Sequence, residues 1–290
     1  MTPADPPDLP TGPVLRAAQL VKVYPSATGE THALRGVDVG FAAGTLSVLM
    51  GPSGSGKSSL LSVLALQERP SAGEVWLRGE DVTTVRGARL RRLRAGTLAW
   101  VAQRPTHTLV PHLDADEQLR AVARRRRRAG LTAGPGSTPD ALLDALGLTG
   151  RRRVRADRLS GGEQQRLAVA TALVGGTRVV VADEPTAELD DASADAVLAV
   201  LRRHVDAGAC VVLATHDPRV VDGADRVLRL RHGVLSSERD SDGLVTVPID
   251  PTGRLQLPRE ALGLFPDGRA VVEIRDGAVV LRDAPAPEEP

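Results

Sequence analysis

The sequence is poor in several things, and each shortage closes off a class of protein. Cys210 is the only cysteine in 290 residues, so no internal disulfide can form and a disulfide-stapled scaffold is excluded. Its neighbours, VVLAT, place it in a buried strand where a thiol packs as a small hydrophobe. No apolar run comes near the ~20 residues that a membrane-spanning helix requires. If the protein acts at a membrane, another chain must cross it. The net charge is only +1, which gives no global attraction to nucleic acid or to an anionic lipid surface. Lysine occurs twice, at Lys22 and Lys57, and every other basic residue is arginine. Such a bias reads as a genome preference, so a lysine that persists marks a position where a guanidinium will not fit. Residues 1–13, MTPADPPDLPTGP, hold five prolines and no basic-then-apolar run; they read as a flexible tail rather than a targeting segment.

What is present is an alternation of short β-rich runs with helical stretches from Val14 to about Gly233, the pattern of an α/β fold with a largely parallel sheet. TLSVLM (45–50), TLAWVA (97–102), VVVAD (179–183) and CVVLAT (210–215) are almost continuously apolar, as strands covered on both faces must be. Polar or glycine-rich residues follow each of them. That places the chemistry at the carboxyl ends of the strands, where open α/β sheets bind ligands. Between about 104 and 158 strand signals vanish, and DADEQLRAVARRRRRA and TPDALLDALGL read as helices of an inserted subdomain. The run Arg124–Arg128 reads as a solvated helix face rather than a basic docking patch. After Leu235 a polar linker, 236–243, leads to a different pattern at 244–283, with short alternating strands, a brief PREALGL helix and a hairpin turning at Asp276-Gly277. Residues 284–290 read as a frayed end.

GPSGSGKS (51–58) matches the G-x-x-x-x-G-K-[ST] phosphate loop and lies between a strand and the helical run SSLLSVLAL, the context that pattern requires. Gly51, Gly54 and Gly56 let the backbone curl until successive N–H groups face a phosphate, and the helix N-terminus adds positive potential. Lys57 supplies a compact cation to the β- and γ-phosphates, and Ser58 a hydroxyl to Mg²⁺. Ser53, Ser55 and Ser59 complete the candidate cradle. Asp183, closing the apolar strand VVVAD, is a candidate for the Mg²⁺ shell, and Glu184 stands one step further on, beside the expected attacking water.

With these elements in place, and with Gln103 after WVA, LSGGEQQR (159–166), Asp190 in ELD and His216 in ATHD, residues 14–235 resemble the ATP-binding subunits of ABC transporters. LSGGEQQR is that family's signature. The resemblance implies that two cassettes pair head to tail and that Ser160, Gly161 and Gly162 of one cover the γ-phosphate of ATP held by the other. It further implies that Gln103 touches Mg²⁺ or the attacking water, that His216 contacts the γ-phosphate and orients Glu184, that Asp190 lies at the dimer interface, and that Tyr24 stacks on adenine. S-G-G-E also satisfies a capping box, with Ser160 as N-cap and Glu163 closing it; the two roles are compatible. The chain departs from the family at Thr171, where arginine is usual. AQRPTHTLVPHLDADEQL resembles the subgroup serving lipoprotein release and macrolide export.

The expected fold is therefore a phosphate-loop NTPase cassette of the α/β class with an inserted helical subdomain and a small β-rich C-terminal domain. The expected function is an ATPase subunit, with ATP and Mg²⁺ as cofactors, that powers a separate membrane permease through ATP-driven homodimerisation. Its expected location is the cytoplasmic face of the membrane. The alternatives are a soluble ATPase acting on nucleic acid or ribosomes, and a DNA-binding regulator. The last is suggested by 244–283, where IDPTGRLQLPREALGLFPDGRAVVEIRDGAVVLR resembles the swapped-hairpin domain of AbrB-type and antitoxin-type proteins. From Asp240 to Pro290 there are five arginines against ten acidic residues. That balance speaks against DNA phosphates as a partner, Arg254 and Arg259 notwithstanding; the resemblance, in which two chains interleave their hairpins, implies a dimerisation module that tethers two cassettes.

Overall fold

The most apolar strands of the chain carry side chains into two different cores. The computed structural model describes residues 12–26, 29–240, 242–247, 249, 255, 257, 261, 263–266, 270–275 and 278–283. Along these the order is β1 (Leu15–Ser26), β2 (Gly29–Phe41), β3 (Thr45–Met50), α1 (Lys57–Leu64), β4 (Ala72–Leu77), β5 (Glu80–Asp81), α2 (Gly87–Gly96) and β6 (Leu98–Val101). Then come α3 (Ala115–Arg128), α4 (Pro139–Ala145), α5 (Gly161–Leu173), β7 (Val179–Asp183), α6 (Asp191–Asp206), β8 (Cys210–Ala214) and α7 (Pro218–Asp222). The chain continues with β9 (Arg226–Arg231), β10 (Val234–Asp240), β11 (Val245–Thr246), β12 (Ala270–Arg275) and β13 (Ala278–Asp283).

The main sheet has the order β11-β10-β9-β3-β8-β7-β6, and its strands from β9 to β6 are parallel. In β7 and β8, Val180, Ala182, Val211 and Leu213 face a core shared with α3 to α6. Val179, Val181, Val212 and Ala214 face the opposite core, shared with α1. The two-sided cover explains the unbroken apolar runs. Cys210 lies in the second core, and burial pushes its thiol up to about 12, an inert state.

The first third of the chain departs from simple alternation. β1 and β2 are long antiparallel partners, and with β4 and β5 they form a separate sheet of order β2-β1-β4-β5. Its inner side chains Leu15, Leu20, Leu34 and Phe41 pack in the same core as α1. At eight residues α1 is too short to persist alone. Leu60, Leu61, Val63 and Leu64, all fully buried, hold it between the two sheets, each side chain contributing about 1.5–3 kcal/mol. The phosphate loop therefore precedes a helix fixed by packing rather than by propensity.

Within 104–158 the described elements are helical, apart from an isolated bridge between Asp114 and Arg155. The arginine run is not uniformly solvated. Arg124, Arg125, Arg127 and Arg128 are exposed, whereas Arg126 is 3% exposed and its Nη1 donates to the carbonyls of Ala172 (2.8 Å) and Val174. A cation at the C-terminal carbonyls of α5 complements the helix dipole, and it ties α3 to the signature helix. Burial lowers this guanidinium to about 9, still charged at neutral pH. Thr171, the departure noted above, spends its hydroxyl on the Leu167 carbonyl at 2.8 Å.

The polar stretch read as a linker is in part a strand. β10 runs to Asp240 and pairs with β9, because the buried Ser236 hydroxyl finds the Arg229 carbonyl at 2.9 Å and Glu238 pairs with Arg226. In the tail, β12 and β13 pair as an antiparallel hairpin. The Asp276-Gly277 turn, Arg254, Arg259, most of PREALGL, the proline-rich residues 1–11 and the 284–290 end lie outside the described residues.

Candidate functional site

A cleft opens at the carboxyl ends of the parallel strands, where the sequence placed it. It is lined by Tyr24 from β1, by Gly51 and Ser53–Ser59 before and at the start of α1, by Gln103 after β6, by Asp183 and Glu184 at the end of β7, and by His216 after β8. Thus the phosphate loop apart from Pro52, both acidic residues, the glutamine, the histidine and the tyrosine share one cavity.

The loop's course depends on two glycines. Gly51 has φ 152° and Gly56 φ 103°; a Cβ would meet the Leu230 carbonyl at 2.2 Å in the first case and the Ala33 carbonyl at 2.3 Å in the second. No larger residue fits either place. Lys57 opens α1 and folds back over the loop, its Nζ donating to the carbonyls of Gly51 (2.7 Å) and Pro52 (3.2 Å). The ammonium is thereby held over the cradle with a donor to spare. Ser55 lines the cleft, but its hydroxyl is turned inward and buried.

Asp183 is buried, and burial raises its carboxyl above the ordinary range. The Glu184 charge adds to the rise, while a Ser58 hydrogen bond and the Lys57 charge oppose it. A buried carboxylate against a hydroxyl, with a glutamine amide in the same cleft, is an all-oxygen donor set. It fits a hard cation such as Mg²⁺, which takes few protein ligands and completes its shell with phosphate and water.

Glu184 leaves β7 with φ 49°, a left-handed conformation that a non-glycine residue adopts only under constraint. Its N–H donates to Ala214 O at 2.9 Å, and its carbonyl accepts from Ala187 N at 3.1 Å and from Gln165 Nε2 at 3.4 Å. Clamped in this way, the side chain reaches His216, whose Nδ1 donates to Oε1 at 3.0 Å. The imidazole is largely solvent-exposed and the carboxylate largely covered. A positioned carboxylate with an adjacent histidine is suited to orienting water.

Ser160, Gly161, Gly162 and Asp190 do not line this cleft. Ser160 caps α5 in the expected box: Ser160 N donates to Glu163 Oε2 at 2.8 Å and Glu163 N to Ser160 Oγ at 3.3 Å. Hydrogen bonds with Arg151, the larger effect, and with Ser160 hold the Glu163 carboxyl below the usual range against the opposing effect of burial. The first turn of α5 abuts Glu188 and Leu189, and Asp190 caps α6 by accepting from Ser193 N at 2.8 Å. One chain therefore presents a phosphate cradle in a cleft and, separately, an exposed helix N-terminus.

Two features escape a reading of the motifs. Gln165 lies inside LSGGEQQR, yet its contact with the Glu184 backbone has no signature of its own. Thr31, His32 and Ala33 also line the cleft, brought there by the antiparallel sheet.

Fold and cleft together define a phosphate-loop nucleotide-binding domain. The chain belongs to the ABC transporter family, whose description matches residues 34–187. It is 37% identical over 240 residues to the macrolide export ATP-binding/permease protein MacB of Nitrobacter winogradskyi, covering 80% of this chain and 35% of the relative. The corresponding protein of Chromobacterium violaceum is 36% identical over 218 residues, 72% of this chain and 32% of the relative. The chain thus spans about a third of the length of the curated relatives it matches. Among solved structures it resembles the ATP-binding cassette MJ0796 in a dimeric post-hydrolysis state bound to ADP and Pi, with TM-score 0.70 and 27% identity over 79% of this chain and all of that one. No such similarity supports the AbrB-like reading of 244–283.

Proposed function

We propose that the protein is the ATP-hydrolysing subunit of a transporter and that closure of two copies around ATP drives a separate permease. The observation that supports this best is the division just described: the cleft holds Lys57, Ser58, Gln103, Asp183, Glu184 and His216, while Ser160–Gly162 stand outside it. Each chain then offers half of two composite sites. Mg²⁺ bound there would be held by Ser58, Asp183 and Gln103 and would neutralise phosphate charge. Lys57 binds phosphate oxygens, Glu184 accepts the proton of the attacking water, and His216 keeps Glu184 aimed. Tyr24 stacks on the base, and Asp190 fixes the loop that meets the partner. Among the described residues no helix is long and apolar enough to cross a membrane. In this reading the permease is a separate chain and this protein sits at its cytoplasmic face.

The binding half of this reading rests on Lys57. Replacing it with alanine removes charge-assisted hydrogen bonds to phosphate, worth about 1.5–3 kcal/mol, so the Kd for MgATP should rise roughly ten- to hundredfold. Titration calorimetry reads this directly, and an unchanged Kd is incompatible with the assignment.

The tail takes the role of a tether. Val272, Ile274 and Val279 on the hairpin are 62%, 80% and 65% exposed, and a lone hairpin with bare aliphatic side chains is marginal in water. A second copy would cover them and raise the effective concentration of the cassettes. Sedimentation without nucleotide should give a dimer for the full chain and a monomer for a chain ending at Gly243. Identical mass behaviour of the two rejects the tether.

A further inference from the structure

Lys22 is the other of the two lysines, and the phosphate loop does not explain it. It lies two residues before Tyr24 on β1, so the two side chains rise from the same face of the strand. Its Nζ donates to Glu68 Oε2 at 2.8 Å and to the Arg69 carbonyl at 2.8 Å, and it sits 4.8 Å from the centroid of the Tyr24 ring. The Tyr24 hydroxyl donates to the same Glu68 oxygen at 2.8 Å. Lysine, glutamate and tyrosine thus close a triangle centred on one Glu68 oxygen. Tyr24 lines the nucleotide cleft, whereas Lys22 is not among the lining residues and its ammonium sits over the Tyr24 ring.

We propose that Lys22 is a positioning residue for the nucleotide base: its ammonium locks the Tyr24 ring from one face and polarises it as a platform for a purine. The proposal rests on the reading that Tyr24 meets the base. The chemistry explains the choice of residue. A tetrahedral ammonium has three donors on separate axes; here two go to oxygens and the remaining positive edge faces the π cloud. A planar guanidinium directs its donors within one plane and cannot divide them in this way, so in a chain that uses arginine almost everywhere this position keeps lysine. A cation against one face of an aromatic ring draws electron density toward itself. The opposite face then stacks more favourably on an electron-rich base.

The test compares two ligands on the full-length protein: MgATP, and magnesium tripolyphosphate, which has the phosphates without the base. Lys22→Met should raise the Kd for MgATP about three- to tenfold and leave that for tripolyphosphate unchanged. Lys22→Arg, which keeps the charge, should recover only part of the loss. Equal weakening of both ligands would mean a general disturbance of the loop, and no change in either would mean no role; each overturns the proposal. Tyr24→Ala separates the two levels of the argument. If it weakens MgATP selectively while Lys22→Met is silent, the platform stands and the positioning role fails. If Tyr24→Ala is itself silent, the platform reading fails and the proposal with it.

Discussion

Glu184→Gln is expected to bind MgATP with near-normal affinity and to hydrolyse it at least about a hundredfold more slowly, the usual contribution of a positioned general base. The amide keeps the shape of the side chain and its contact with His216 Nδ1, which lies 3.0 Å from the present carboxylate oxygen, but it cannot accept a proton from water. The backbone clamp around residue 184 does not involve the side chain, so the left-handed turn should survive the change. Binding and turnover are therefore predicted to separate, which marks an interaction needed only in the transition state. Phosphate release under saturating ATP measures the loss, and sedimentation with ATP should show dimers that persist because closure is no longer followed by hydrolysis. Turnover within a few-fold of the unaltered protein would remove Glu184 from the mechanism.

Much of this site was legible because its chemistry is local in sequence. GPSGSGKS specifies a strand-to-helix cradle within eight residues, and the acidic pair follows an apolar strand directly. S-G-G-E announced its own cap. What could not be read depends on contacts between distant segments. Five consecutive arginines have no period that singles out Arg126; only the packing of α3 on the end of α5 buries it. The β1–β2 sheet was hidden because its strands are half exposed and mixed in character, unlike the parallel strands. SSERD looks like a linker until the Ser236 hydroxyl meets the Arg229 carbonyl and the backbone pairs with β9. Lys22 stands out by its rarity, but its neighbourhood is made by Glu68, which lies 44 residues beyond Tyr24 and accepts from the Tyr24 hydroxyl.

Mixing two inactive proteins should restore a site. Ser160→Arg places a long cation at the exposed N-terminus of α5, where it collides with whatever phosphate that helix covers, while leaving its own Lys57 cradle intact. Lys57→Ala does the reverse. If the helix serves the partner's nucleotide, a mixed dimer contains one sound composite site, with the cradle of the first chain under the helix of the second, and one site damaged on both sides. If the helix served its own chain's nucleotide, neither chain could be rescued by the other. The logic is that of a double-mutant cycle carried across two subunits. Turnover alone could be lost for another reason, since hydrolysis in one site can depend on the other, so nucleotide trapping is the better readout. With Glu184→Gln added to both chains, differently tagged copies purified as mixed dimers should retain about one ATP per dimer, as two-site sharing requires. Each parental homodimer should retain none after gel filtration. Mixed dimers that trap nothing would show that the α5 N-terminus does not complete the partner's site, and the two-chain arrangement would have to be abandoned.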